Sequence, residues 1–389
     1  MEWDFKEKLP FSMTEYESRV KRAKEEMAKR GLDTLILFKP ENYYYLTGHR
    51  GAAYDDYVCL IFPREKDPIF VMSLLEVDCA LVLSTVKRIE PYSVFAAPPR
   101  NEPVPHLVSV LKSEGFDKGT IGVELNAWWQ TPLQYEQLRQ GLPHTTFKDC
   151  TSLVDGLRAI KSEAELNYMR AAGKILTKAM YAAIDAVGED RSENEVVKAI
   201  WNTLLDAGCD PPKGIPLVSS GYRTALTHNT WCDRRMKRGE PVFIEFGGAV
   251  YQYHTPMMRT VAVGEVTREV KEIMDVVIEA LNLGVEAVKP GVTSGEVDEA
   301  VRGTIKKRGW YDYFLHRTAY SVGIGFVATW ASSPGIKEKD PTVLQPGMTF
   351  HMVPTLNRYH MGIGLSEPIA VTEKGCELLA DVERKLFVK

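Results

Sequence analysis

The 389-residue chain has no run of five or more basic residues, no CxxC pair and no apolar stretch of membrane-spanning length. Each absence excludes something. Lys and Arg total 48 against 52 Asp and Glu, for a formal net charge of −4. Without a basic tract, nucleic acid is not an expected partner. The apolar runs are short, such as TLILF at 34–38, well below the roughly 20 residues that a span needs. A membrane is therefore not expected either. The start, MEWDFKEKLP, lacks the apolar core of a signal peptide. The six cysteines (59, 79, 150, 209, 232 and 376) are scattered and read as reduced, mostly buried thiols of a cytoplasmic protein. GIG at 323–325 lacks the third glycine and the lysine of a phosphate loop, so it is read as close strand packing.

What is present is an ordinary globular composition, 44% hydrophobic and 26% charged. This length predicts two domains. Ser12 and Glu15 are spaced as a capping box opening a helix to about Arg30, with Val20, Ala23 and Met27 at helical spacing. TLILF reads as a buried strand, and VCLIFP (58–63) with PIFVMS (68–73) as a strand pair. Alternation of helices and short strands to about residue 150 predicts an α/β domain. Ser162 and Glu165 form a second capping box, opening a long helix to about Val187. The boundary is placed just before it, dividing the chain into 1–156 and 157–389.

An internal repeat follows. Residues 186–208 align with 287–309 at one constant offset. The identities are Ala186/Ala287, Val187/Val288, Glu195/Glu296, Val196/Val297, Ala199/Ala300, Thr203/Thr304 and Gly208/Gly309. Each copy carries a helix-start signature and ends in glycine, a helix stop. Two similar amphipathic helices would give such a match. So would two pseudo-symmetric halves that curl into one sheet around a cleft.

Several segments bear on function: GLRAIKSEAELNYMRAAG (156–173), THN (227–229), RTVAVGEV (259–266), QPGMTF (345–350) and VTEKGCELL (371–379). In order and spacing they resemble the creatinase, prolidase and aminopeptidase-P superfamily, and ENYYYLTGH (41–49) is similar to its smaller N-terminal domain. The resemblance covers essentially the whole chain. It implies an α/β N-terminal domain plus an α+β C-terminal pita-bread domain with an internal pseudo-two-fold repeat. It also implies a homodimer, with the N-terminal domain of one subunit near the site of the other. Metal-binding members use two Asp, one His and two Glu. Carried over one at a time, these fall on Glu245, Pro256, Tyr320, Val353 and Glu367. Proline and valine cannot bind a metal, and a two-metal cluster needs carboxylates that bridge and cap both ions. No cofactor and no metal is therefore expected, although His254 and His351 lie where they could rebuild a single site.

The expected catalytic residues are His228, Glu245 and Glu367. The resemblance places His228, in the polar loop TALTHNTW, at the substrate-side histidine, a general acid/base in creatinase-like members. Glu245 and Glu367, if they converge without a cation, would share a proton and form an acid/base pair; the plain alternative is polar residues bonded to backbone. His254, Tyr320, His351 and Tyr54 are the expected substrate-binding residues, and Tyr43 and Tyr44 are further aromatics that could close over a ligand by cation–π contact. On alternating strand positions only one of Tyr253 and His254 faces the cleft, and the sequence leaves open which. Arg259 is expected to pair structurally. His49, His106, His144, His316 and His360 are given no role beyond surface or packing.

Creatinase-like enzymes use a Glu just before the Arg-Thr pair and another where Val353 stands. Here the first position is Met258. The remaining pattern looks more like ectoine hydrolases, which open a cyclic amidine, although TWASSPGI (329–336) departs from them. The expected function is metal-independent hydrolysis of a C–N bond in a small zwitterionic or cyclic amidine compound. Glu245 would attack directly or activate a water. An Xaa-Pro dipeptidase with an altered metal site and a catalytically dead pita-bread binding module are the alternatives.

Overall fold

The computed structural model describes residues 9–51, 56–93, 102–326 and 329–389. The chain divides into two compact units, Met1–Arg158 and Ala159–Lys389.

In the first unit the order is α1 (Met13–Arg30), β1 (Thr34–Leu37), α2 (Pro40–Thr47), β2 (Cys59–Pro63), β3 (Ile69–Ser73), α3 (Val77–Leu83) and β4 (Arg88–Tyr92). There follow α4 (Pro103–Ser113), β5 (Gly119–Val123), α5 (Pro132–Gly141), β6 (Thr145–Asp149) and α6 (Thr151–Ala159). The strands form one mixed sheet in the order β4-β3-β2-β1-β5-β6, the α/β unit the alternation predicts. Ser12 makes half of its capping box: Oγ accepts from the Glu15 amide, while the Glu15 carboxylate turns to Arg19. Tyr43 and Tyr44, on α2, are buried at 2% and 0% exposure in the core of their own unit. They are therefore not available to close over a ligand. Tyr54 lies outside the described residues.

The second unit opens with α7 (Glu163–Ala186), whose Ser162–Glu165 capping box is complete, then α8 (Glu193–Asp206), β7 (Leu217–Ser220), β8 (Pro241–Val250) and β9 (Tyr253–Ala262). The second half runs α9 (Arg268–Ala287), α10 (Ser294–Lys307), β10 (Ala319–Ser321), β11 (Ser332–Ile336), β12 (Thr349–Met352), β13 (Thr355–Arg358), β14 (Met361–Gly364), β15 (Glu367–Val371), β16 (Cys376–Leu378) and β17 (Phe387–Val388). The repeat in the sequence is a repeat in structure. Helices α8 and α10 begin on matching capping boxes, Ser192–Glu195 and Thr293–Glu296. Each is followed by a glycine in the left-handed region, Gly208 and Gly309, where a side chain would be strained.

The expected single curled sheet is instead three among the described residues: β17-β9-β8-β7, β11-β10-β12-β15-β16 and the hairpin β13-β14. Cross-links join the first two: the Ser366 amide donates to Met258 O, and Ser366 Oγ accepts from the Met258 amide at 2.7 Å. Period-2 alternation gives each sheet a helix face and a cleft face. Val242, Ile244 and Phe246 of β8 pack with Leu176, Met180, Val196 and Ile200 of α7 and α8. Phe350 and Met352 of β12, with Ile369 and Val371 of β15, pack with Ile273, Val277, Val297 and Val301 of α9 and α10.

Candidate active site

The residues left over by that alternation line a cavity of about 470 Å³ in the second unit. Phe243 and Glu245 come from β8, Leu217 and Ser219 from β7, and Met258 from β9, directly opposite Glu245. Tyr320 comes from β10, and Val353 and Thr355 from beyond β12. His228 and Asn229 enter on a loop, with His316, Arg317 and Trp330 from the segments around β10.

Glu245 is the one Asp or Glu among the described lining residues. It is 7% exposed, and its carboxyl has no hydrogen bond or ion pair to a described residue. Burial pushes its carboxyl up to about 7, because removing water disfavours the charged form. Arg317 is the one Arg or Lys among the same residues. Its guanidinium lies 4.9 Å from the Tyr320 ring centroid and has no carboxylate partner among the described residues. The sequence reading passed over Arg317. Its signal was an arginine between His316 and Thr318 at the entry to a strand, which nothing in the local pattern separates from a surface charge.

His228 is exposed at the cavity and adopts φ 58°, left-handed backbone that a non-glycine residue rarely takes. Glu193, at the start of α8 and fully buried, holds both ends of its loop. It accepts from the Ser220 amide and hydroxyl at 2.8 and 2.7 Å and from the Cys232 amide at 2.9 Å. The sequence reading also missed this clamp, since a glutamate in the first turn of a helix is ordinary.

Tyr320 and His351 face each other directly across β10 and β12. Tyr320 Oη lies 2.8 Å from His351 Nδ1 and accepts from Trp330 Nε1 at 3.2 Å. His351 Nε2 lies 2.6 Å from Ser366 Oγ. Tyr320 reaches the cavity; His351 stands behind it, fully buried, and burial holds its imidazole well below the ordinary range. Burial likewise raises the Tyr320 phenol.

Several expectations are revised: His351, expected to bind substrate, stands behind Tyr320 instead of lining the cavity, and His316, given no role beyond surface or packing, lines it. Glu367 does not meet Glu245. The register Met352↔Glu367 and the alternation with Ile369 and Val371 turn it to the helix-packed side. There, fully buried, it accepts from Arg259 at 2.7 Å and Arg384 at 3.2 Å. Burial pushes this carboxyl up, and the two guanidiniums counter that rise. Arg259 thus pairs structurally, as expected. His254 does not line the cavity either. Its Nδ1 donates to Gln252 O at 2.8 Å, and its Nε2 accepts from the Lys213 amide at 2.9 Å. Both nitrogens are consumed, and burial lowers this imidazole to about 4. Neighbouring Tyr253 donates to Glu165 at 2.7 Å, so neither member of that pair faces the cleft. Gly325 allows the close packing read for GIG: a Cβ there would stand 3.0 Å from His254 Nδ1.

The fold and this cavity together define a pita-bread hydrolase. The chain belongs to metallopeptidase family M24: that family's model matches residues 167–373, and the creatinase/prolidase N-terminal domain model matches residues 19–160. It is 31% identical to an ectoine hydrolase from Halomonas elongata, over 98% of this chain and 99% of that one. It is 29% identical to an Xaa-Pro dipeptidase from Pyrococcus horikoshii, over 95% and 98%. The solved prolidase from Pyrococcus horikoshii superimposes with a TM-score of 0.83 at 27% identity, covering 95% of this chain and all of that one.

The family name implies a metal, and the donor set here does not fit one. Among the described residues no group of three or more His, Cys, Asp and Glu converges. Of the five carried-over positions, Pro256 and Val353 offer no donor, and Glu367 is engaged by two arginines. Both nitrogens of His254 are already bonded.

Proposed function

We propose that the chain hydrolyses a C–N bond of a small zwitterionic or cyclic amidine compound by side-chain chemistry alone. One observation carries this reading: among its described lining residues the cavity presents a single carboxyl and a single guanidinium, Glu245 and Arg317, neither neutralised by a described protein group. A compact ring bearing a carboxylate and a delocalised cation complements both. Arg317 takes the carboxylate by charge-assisted hydrogen bonds, and Glu245 faces the amidine carbon. The likeness to ectoine hydrolase supports that substrate class.

In the reaction one C–O bond forms at the amidine carbon and one C–N bond breaks. A water is consumed, and both of its protons finish on the departing nitrogen. Glu245, as carboxylate, either removes the first proton from the attacking water or attacks the carbon and is freed by water afterwards. His228 carries a proton to the departing nitrogen. A protonated amidine carbon is already electrophilic, whereas a peptide carbonyl needs the polarisation that a metal would supply. The reading includes a cytoplasmic homodimer, with the small molecule as its ligand and neither nucleic acid nor membrane as partner.

The test is to incubate purified protein with ectoine and, separately, with Gly-Pro and Ala-Pro, following products by mass spectrometry. Release of an N-acetylated diamino acid is expected. Faster cleavage of the dipeptides with ectoine inert would establish the Xaa-Pro dipeptidase reading. Ectoine binding without turnover would point to a binding module.

A further inference from the structure

The cavity wall at Tyr320 is backed by a hydrogen-bonded chain whose polarity follows from counting donors and acceptors. Ser366 is wholly buried. Its Oγ accepts from the Met258 amide, so its own proton needs an acceptor, and among the described residues that is His351 Nε2 at 2.6 Å. If His351 instead carried its proton on Nε2, the serine hydroxyl would be a buried donor with no partner, which costs about 1–3 kcal/mol. A doubly protonated imidazole is opposed by complete burial. His351 therefore carries its proton on Nδ1 and donates it to Tyr320 Oη, 2.8 Å away. Trp330 Nε1, a donor only, gives a second hydrogen bond to the same oxygen. Both accepting positions of Tyr320 Oη are then filled. Its own O–H has no acceptor among the described residues, and Tyr320 lines the cavity.

We propose that Tyr320 is a fixed hydrogen-bond donor to the oxygen that adds to the substrate's amidine carbon, and that Ser366 and His351 are positioning residues that aim it. The proposal rests on the amidine-hydrolase reading above. Burial of the phenol keeps the proton in place, so Tyr320 stabilises charge on the adding oxygen without giving up its proton, and proton delivery stays with His228. Such a donor needs no reorganisation during the reaction, and loss of one typically costs about 10²–10³-fold in kcat.

The experiment has two arms. In the first, ¹⁵N-histidine-labelled wild-type protein is examined by NMR, with the His351 signals assigned through a His351→Gln variant. Protonation on Nδ1, with Nε2 as an acceptor, is expected. Protonation on Nε2 would overturn the proposal whatever the enzyme turns over. In the second, ectoine kinetics are compared for wild type, Tyr320→Phe, Ser366→Ala and Ser366→Thr. Tyr320→Phe should lose about 10²–10³-fold in kcat with KM within about three-fold of wild type. Ser366→Ala should lose at least about ten-fold in kcat, because His351 Nδ1 becomes free to accept the Tyr320 proton and draw it out of the cavity. Ser366→Thr, which keeps the hydroxyl, should restore most of that loss. Wild-type kcat in Tyr320→Phe, with ectoine still turned over, sinks this inference and leaves the function reading standing. An inert wild type with an Nδ1–H imidazole sinks the function reading and, with it, the catalytic step assigned to Tyr320.

Discussion

A buried carboxyl without a partner is expensive for a fold, and Glu245 is held in that state. Its folded value near 7 stands above the ordinary 4.5, so the native state binds the extra proton between those values. The stability contributed by the neutral form is complete below about pH 4.5 and is lost as pH rises through about 7. Glu245→Gln keeps the shape and removes the titration. It should match wild type in stability near pH 4 and exceed it by on the order of 3 kcal/mol at pH 8, as read by urea denaturation at each pH. Equal stability across the range would mean that the carboxyl is solvated or paired in solution. The same variant should lose turnover. His228 gives the opposite signature. Exposed on its loop, it contributes little to packing, so His228→Ala should melt as wild type does and lose about 10²–10⁴-fold in turnover. Retention of a third of the activity would remove it from proton transfer. Arg317→Gln should raise KM for a carboxylate-bearing substrate by at least about ten-fold, the scale of a lost charge-assisted hydrogen bond, and leave a carboxylate-free amidine nearly unaffected. Equal KM changes for the two compounds would show that Arg317 does not read the carboxylate.

At the scale of elements, the position of Glu245 depends on how closely α7 lies on β8. Gly248 makes that approach possible: a Cβ there would come within 2.5 Å of the Ala172 carbonyl oxygen, which is backbone and cannot rotate away. Gly248→Ala should therefore push helix and strand apart, lowering stability by about 1–3 kcal/mol and cutting activity by more than the stability loss explains. A crystal structure of the variant with an unmoved strand and full activity would refute this. The elements were largely legible in the sequence because their signals are local. The capping box at Ser162 and the helix-start signatures of the two repeat copies mark helix starts. The site was legible only where a face could be inferred. Glu245 alternates with Ile244 and Phe246, and the structure turns it to the cavity. Glu367 looked equivalent, yet it alternates in step with Ile369 and Val371 and so shares their helix-packed side. Its partners Arg259 and Arg384 lie 108 and 17 residues away, and no local pattern announces that convergence. The clamp from Glu193 to Ser220 and Cys232 was hidden for the same reason, spanning 27 and 39 residues.

For the molecule as a whole, the question is whether a member of a metallopeptidase family works without a metal, and thermodynamic linkage decides it independently of any assay. A cation that binds the native state stabilises it by about 2.7 kcal/mol when present at a hundred times its dissociation constant. In a unit of this size that corresponds to a rise in melting temperature of roughly 5 °C or more. Because Pro256 and Val353 offer no donor and Glu367 and His254 are otherwise engaged, we expect no rise with Mn²⁺, Co²⁺ or Zn²⁺. We also expect no loss of activity after prolonged treatment with a chelator, and no stoichiometric transition metal by elemental analysis. The pH profile gives a second reading of the same point. A bound cation beside Glu245 would favour its ionised form and pull its titration down from about 7. Without one, the acidic limb of the rate profile should fall near neutrality. A metal-dependent rise in melting temperature, together with an acidic limb displaced to low pH and restoration of chelated activity by metal, would show that a single site has been rebuilt around Glu245 and would favour the dipeptidase.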